Sequence, residues 1–210
     1  TLAFSGVTGL IDMPSGDQQS DGMLSIATAH FGAISRTTLS FQITPRLSGS
    51  FRYTALRNWN DLDPRPSQPD TNYDRSFDLR YQILEEGRYV PAVTVGLQDI
   101  IGTGLMAGEY VAATKTFGDS VKVTAGLGWG RYGTYGAIGA PFGARPPVVV
   151  GFGGRPRLGQ WFRGDAAPFA GVEWQINDRW LFKAINAHRK LDTESYIDID
   201  ASERELGDVL

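Results

Sequence analysis

The 210-residue chain has no cysteine, which excludes disulfide frameworks and thiolate metal sites. It has no run of about 20 apolar residues, so no transmembrane helix can be drawn from it. The opening TLAFSGVTG lacks the basic and apolar regions of a signal peptide, so any export signal is expected to be removed or to lie outside the chain. Charge is sparse at 20%, and the net charge of −3 offers no basic footprint for nucleic acid. Only two histidines occur, His30 and His188, and neither has a metal-binding partner at a usable spacing. Helical periodicity is weak throughout. What is abundant is glycine, 26 residues, placed inside strand-like segments rather than in a linker.

Those segments alternate apolar and polar residues with period two, the mark of strands with two different faces. Nine are expected, near 22–31, 35–44, 47–58, 74–84, 91–99, 107–117, 120–131, 167–177 and 179–188, with a weaker tenth at 192–200. Most are about ten residues long, the length a tilted strand needs to cross a bilayer. Connections at Pro45–Arg46, Glu85–Val90, Gly118–Asp119 and Asn177–Asp178 are short, whereas those at 59–73, 100–106 and 132–166 are long. Apart from the tight link near 32–34, short and long alternate, as in an outer-membrane meander with short periplasmic turns and long extracellular loops. The expected fold is therefore all-β: an antiparallel up-and-down meander of about ten strands forming an outer-membrane β-barrel or part of one. Residues 1–21 read as a lead-in segment and 22–210 as the barrel domain.

In 74–84, Phe77, Leu79, Tyr81 and Ile83 oppose Asp78, Arg80 and Gln82, so one face suits lipid and the other a polar interior. Trp174, Trp180 and Tyr81 fall near short turns and Trp129 near a long loop, where interfacial aromatic girdles sit. In VKVTAGLGWG the same parity sends Gly126 and Gly128 to the lumen, with Gly96 repeating the pattern. A bare backbone there leaves room for a neighbouring side chain, an inserted loop or a polymer; the other reading is that the glycines curve the sheet.

Several phrases occur together: TGLIDMPSGDQQSDG, LSGSFRYT, FDLRYQILEEGRYVPAVTVGLQDIIGTGLMAGEYVAATKTFGD, GLGWGR and QWFRGDAAPFAGVEWQI. In these the chain resembles the YjbH family of bacterial outer-membrane proteins, which includes GfcD-type proteins, over most of its length up to about Ile176. Family members are much longer, so the resemblance is to their N-terminal portion. It implies a β-barrel of the outer membrane encoded with exopolysaccharide or capsule genes and acting in polysaccharide production or export. No catalytic residue comes with the motifs.

No enzyme, metal site or cofactor is expected. His30 has Ser25 and Ser35 nearby, but ordinary hydrogen bonding accounts for it better than a hydrolase pair. Glu85 and Glu86 are adjacent and point apart, Gly102–Gly104 has no helix behind it, and Asp192, Glu194, Asp198 and Asp200 suit a solvated strand end. By parity the candidate lumen residues are Arg36, Arg52, Arg80, Lys115, Gly126, Gly128 and Lys183. The charged ones face Glu109, Asp78 and Glu173 as internal pairs, or else form a track for an acidic polysaccharide. Trp59, Trp161, Phe162 and Arg163 in the long loops are candidate sugar contacts, and the loop 132–166 is expected to fold over or into the barrel mouth. Expected partners are outer-membrane lipid, polysaccharide, and periplasmic capsule or exopolysaccharide proteins at the short turns. The rival classes are an outer-membrane lipid or polysaccharide hydrolase and a soluble carbohydrate-binding β-sandwich.

Overall fold

The computed structural model describes residues 2–58, 70–134, 136–147, 156 and 158–186. Trp59, His188, the segment 192–200 and its acidic residues Asp192, Glu194, Asp198 and Asp200 lie outside the described residues. Two short strands come first, β1 (Gly9–Leu10) and β2 (Met13–Pro14), paired with each other as a small hairpin. Nine longer strands follow among the described residues: β3 (Leu24–Phe31), β4 (Ile34–Gln42), β5 (Leu47–Leu56), β6 (Asn72–Leu84), β7 (Ala92–Gln98), β8 (Gly108–Phe117), β9 (Val121–Gly130), β10 (Ala167–Asn177) and β11 (Trp180–Asn186). Each pairs antiparallel with its sequence neighbour, so the sheet order is β11-β10-β9-β8-β7-β6-β5-β4-β3. The expected meander is present and helix is confined to a 3-10 turn at Leu158–Gln160 among the described residues. Among the described residues the expected closure is not seen: β3 and β11 are the two edges of one sheet and do not pair with each other.

The sheet is strongly curled. Arg36 on β4 and Arg131 just beyond β9 both reach Asp12, at 4.0 and 2.6 Å. Five strand spacings would separate them by about 24 Å in a flat sheet, far beyond the reach of two arginines to one carboxylate. Curvature brings their strands to opposite sides of the same interior.

Burial is inverted relative to a water-soluble sheet. The inner face of β4 to β7 carries Arg36, Thr38, Arg52, Asp78, Arg80 and Thr94, all buried, with Arg52 fully so. Outward lie Ile26, Phe41, Phe77, Leu79, Tyr81 and Val172, all exposed, Ile26 at 71%. Aromatic pairs run between neighbours on this outer surface, Phe51 with Phe77 at 5.1 Å and Tyr53 stacked on Tyr73 at 5.6 Å. Among the described residues, the apolar packing inside forms two clusters. One gathers Leu10 and Met13 at the tip of the β1–β2 hairpin with Tyr110, Ala112 and Phe169; the other joins Ile34, Leu56 and Met106 at the long-loop end.

The inner-face glycines have a local reason. A Cβ on Gly96 would fall inside the Tyr110 ring, one on Gly126 inside Phe169 and the carbonyl of Val111, and one on Gly128 against the Cβ of Tyr132. Of the openings considered, the one realised is room for a neighbouring side chain. Tyr110 and Tyr132 meet edge-on at 5.7 Å, and Phe169 lies 6.3 Å from Tyr132. Gly96→Ala should therefore displace Tyr110 and cost about 1–3 kcal/mol by overpacking. A denaturant midpoint unchanged by Gly96→Ala would show that the tyrosine has slack and that the glycine serves curvature instead.

Candidate functional site

The candidate site is the polar inner face, and it is occupied by the chain's own N-terminal segment. Residues expected as a mere lead-in lie against strands from β4 to β11. Thr38 and Ser40 on β4 donate to the carbonyls of Ser5 and Gly6 at 2.9 and 2.7 Å. Gly6 is held in a left-handed conformation, φ +81°, with its α-carbon hydrogens against Thr38, where a side chain has no room. On β6, Arg80 bonds the Thr8 hydroxyl and donates to the carbonyls of Ser15 at 2.7 Å and Asp17 at 3.0 Å.

Gly16 sits at the centre of this cradle. Its carbonyl accepts from Thr94 at 2.7 Å and from Gln82 at 3.1 Å, and its N–H donates to Thr114 at 2.8 Å. Thr114 in turn shares a 2.7 Å hydrogen bond with Thr124. A side chain at Gly16 would collide with the Ala92 carbonyl, so only glycine allows this approach. Two carboxylates of the segment reach basic groups of the wall: Asp17 bonds Lys122 at 3.0 Å, and Asp12 bonds Arg131 at 2.6 Å. The gap left between Thr8, Gln19, Ser40, Gln42, Ser50 and Arg80 holds no more than a water or so.

Towards the long-loop end the interior becomes a charge cluster. Arg52 and Asp78 form a fully buried ion pair, and Asp78 also accepts from Ser50 at 3.3 Å and from the Asp99 N–H at 2.9 Å. Asp74 accepts from the Thr103 hydroxyl at 2.7 Å. Burial, and then the negative charges of Asp74 and Asp78, push the Asp99 carboxyl up to about 7. Lys183 faces Glu173 across β10 and β11 at 3.4 Å.

Lys115 and Glu109 do not belong to this interior. The register sets Lys115 beside Val123 and Glu109 beside Trp129, which places both on the outer face. Lys115 reaches the short turn after β6, where it bonds Glu86 and the Gly87 carbonyl, each at 2.8 Å. Glu109 is clamped by both terminal nitrogens of Arg145, at 2.7 and 3.0 Å, and by the Phe162 N–H at 3.0 Å. Through Arg145 and Phe162 the described part of the long loop straps the outer face near its rim, while Tyr132 at its start turns inward onto Tyr110 and Phe169. Trp129, expected at a lipid interface, is covered by it: 4% exposed, with Phe162 edge-on at 5.2 Å and Phe142 at 6.1 Å. Phe162 is accordingly packing against Trp129, whereas Trp161 is half-buried and Arg163 exposed.

His30 lies on the edge strand and its Nδ1 meets the Ser35 hydroxyl at 2.8 Å, with Arg57 on the same oxygen at 3.2 Å. No carboxylate bonds His30 among the described residues, and no cluster of metal-ligating side chains is found among them. No helix is long and apolar enough to cross a membrane, which leaves crossing by strands open.

A curled antiparallel meander with a polar interior, an apolar exterior and an internal segment seated on the inner wall defines an inside-out β-sheet protein. Comparison with known proteins identifies the family. The family model YjbH, described as "Exopolysaccharide biosynthesis protein YbjH", matches residues 1–190, and the chain belongs to this family. It is 34% identical over 179 residues to the Escherichia coli (strain K12) protein named "Uncharacterized lipoprotein YjbH", covering 82% of this chain and 25% of that one. The chain therefore spans about a quarter of the length of this relative. No solved structure gives a significant match.

Proposed function

We propose that the chain is part of an outer-membrane β-barrel that serves exopolysaccharide or capsule production or export, without catalysing a reaction itself. The observation that carries this is the inverted burial: Arg52, Asp78 and Arg80 inside, Ile26, Phe77, Leu79 and Tyr81 outside. A soluble carbohydrate-binding sandwich would bury its apolar faces against each other, and an apolar exterior of this breadth in water would associate. In lipid the arrangement is the stable one. Tyr81, Phe117, Trp174 and Trp180 stand exposed at the short-turn end, Trp180 at 69%, as an aromatic belt at a membrane surface requires. A sheet edge cannot face hydrocarbon unpaired, so on this reading β3 and β11 are joined by further strands in the complete protein.

The family supplies the exopolysaccharide context, and the lipoprotein name of the relative agrees with a place in the bacterial envelope. The short turns, cross-linked by Arg46–Glu85 at 2.9 Å and Lys115–Glu86 at 2.8 Å, form the rim at which periplasmic exopolysaccharide or capsule proteins would dock. Among the described residues the His30–Ser35 contact has no orienting acid of the kind a hydrolase uses; it is exposed and shares its hydroxyl with Arg57. The full-length protein should partition into outer membranes and, unheated, migrate on gels differently from its boiled form. Migration that heating does not alter, in protein soluble without detergent, would overturn the barrel reading in favour of the sandwich.

A further inference from the structure

The N-terminal segment is an unusual occupant for a structural core. Between Leu2 and Gln19 its charged residues are Asp12 and Asp17, both acidic, and a basic residue is absent. The wall offers it mainly donors: Thr38, Ser40, Arg80, Gln82 and Thr94 all point hydrogens at its oxygens. Its carboxylates meet Lys122 and Arg131. Carbonyl and hydroxyl oxygens at short intervals, punctuated by carboxylates, describe equally well a polysaccharide carrying uronate or other acid groups.

We propose that this donor-lined face is a binding track for an acidic polysaccharide and that residues 2–19 are its built-in competitor, a plug that the polymer displaces. The inference rests on the barrel reading above and adds the ligand class, the site and its regulation. The physics favours an exchange over a permanent core. Apolar anchoring of the plug comes from Leu10 and Met13 at the hairpin tip, with Ala3 and Val7 buried beside the wall, and most other contacts are hydrogen bonds to wall side chains. Such bonds can be returned to a ligand of matching chemistry, whereas a buried apolar contact cannot. With the plug seated, Arg80 is engaged with Thr8, Ser15 and Asp17, and the gap beside it is too small for a sugar. Observed affinity is then the intrinsic affinity reduced by the fraction of molecules with the plug displaced.

This fixes the sign of an otherwise ambiguous mutation. Asp17→Asn removes a plug carboxylate from Lys122 without touching the wall, so it should strengthen polymer binding rather than weaken it. Gln18 and Ser48, whose side chains meet at 3.2 Å, provide the opposite manipulation. In the full-length protein carrying Gln18→Cys and Ser48→Cys, a short bis-methanethiosulfonate linker should pin the plug to β5, and reduction should release it. The described chain contributes no other thiol. Binding of polygalacturonate oligomers, with dextran of equal length as the neutral probe, is measured in vesicles on protein that shows heat-modifiable migration.

Expected results are polygalacturonate affinity about tenfold lower when cross-linked, recovery on reduction, a severalfold gain with Asp17→Asn, and much weaker dextran binding throughout. Equal polygalacturonate binding before and after reduction, or none in either state, overturns the plug-seat proposal while leaving the barrel standing. Equal affinity for dextran overturns the acidic ligand class. Loss of heat-modifiable migration in the unsubstituted protein removes the barrel reading beneath, and is read separately from any binding result.

Discussion

Leu79→Arg is expected to cost about 2–4 kcal/mol when the full-length protein folds into lipid vesicles, because the residue sits near the middle of β6 and points outward, which on the proposed barrel reading puts it at the depth of the bilayer midplane. At 36% exposure the same change on a water-facing sheet would lie within about 0.5 kcal/mol, so the two environments predict different outcomes for one substitution. The neighbours sharpen the case. Leu79 stands beside Gly49 on β5 and Leu97 on β7, neither of which offers a carboxylate to an arriving guanidinium. A guanidinium there must either snorkel along the strand or be buried in hydrocarbon. Urea titration in vesicles measures the loss, and Leu79→Ala serves as control for simple removal of apolar surface. An Arg variant as stable as the Ala variant would mean that this face does not meet lipid.

The period-two pattern carried most of this architecture because alternation is a local property. Each of the nine long strands falls within a few residues of its alternating segment, and the alternation of short and long connections follows from the meander. Two things were not legible for physical reasons. In β8, Glu109, Val111, Ala113 and Lys115 alternate with Tyr110, Ala112 and Thr114, so both faces are part apolar and part polar. Parity separates the sets, but only the cross-strand register, Lys115 beside Val123 and Glu109 beside Trp129, says which set is outside. The plug was hidden more deeply. Its hydrogen bonds use backbone carbonyls of Ser5, Gly6, Ser15, Gly16 and Asp17, groups every residue has. The available hint was that TGLIDMPSGDQQ has no strand period and yet carries glycines, of which Gly16 proves to need its close approach to the Ala92 carbonyl.

The largest single-residue effect is expected at the pair Arg52–Asp78. Both side chains are sealed from solvent, so removing one leaves the other charged in a medium that solvates it poorly. Asp78→Ala strips Arg52 of its counter-ion and also takes an acceptor from Ser50 and from the Asp99 N–H; the expected loss is about 3–5 kcal/mol. Arg52→Met should cost a similar amount for the converse reason, since Asp78 would then face Asp74 and Asp99 without the cation between them. Combining Arg52→Met with Asp78→Leu removes both charges at once and should recover much of the loss, because an apolar pair of similar volume needs no compensation. The recovery will be incomplete, as the Asp99 N–H still loses its acceptor. A double-mutant cycle on urea midpoints in vesicles separates these contributions. Additive losses, with no recovery in the double variant, would show that the two side chains act independently and that the interior is wet enough to solvate each of them.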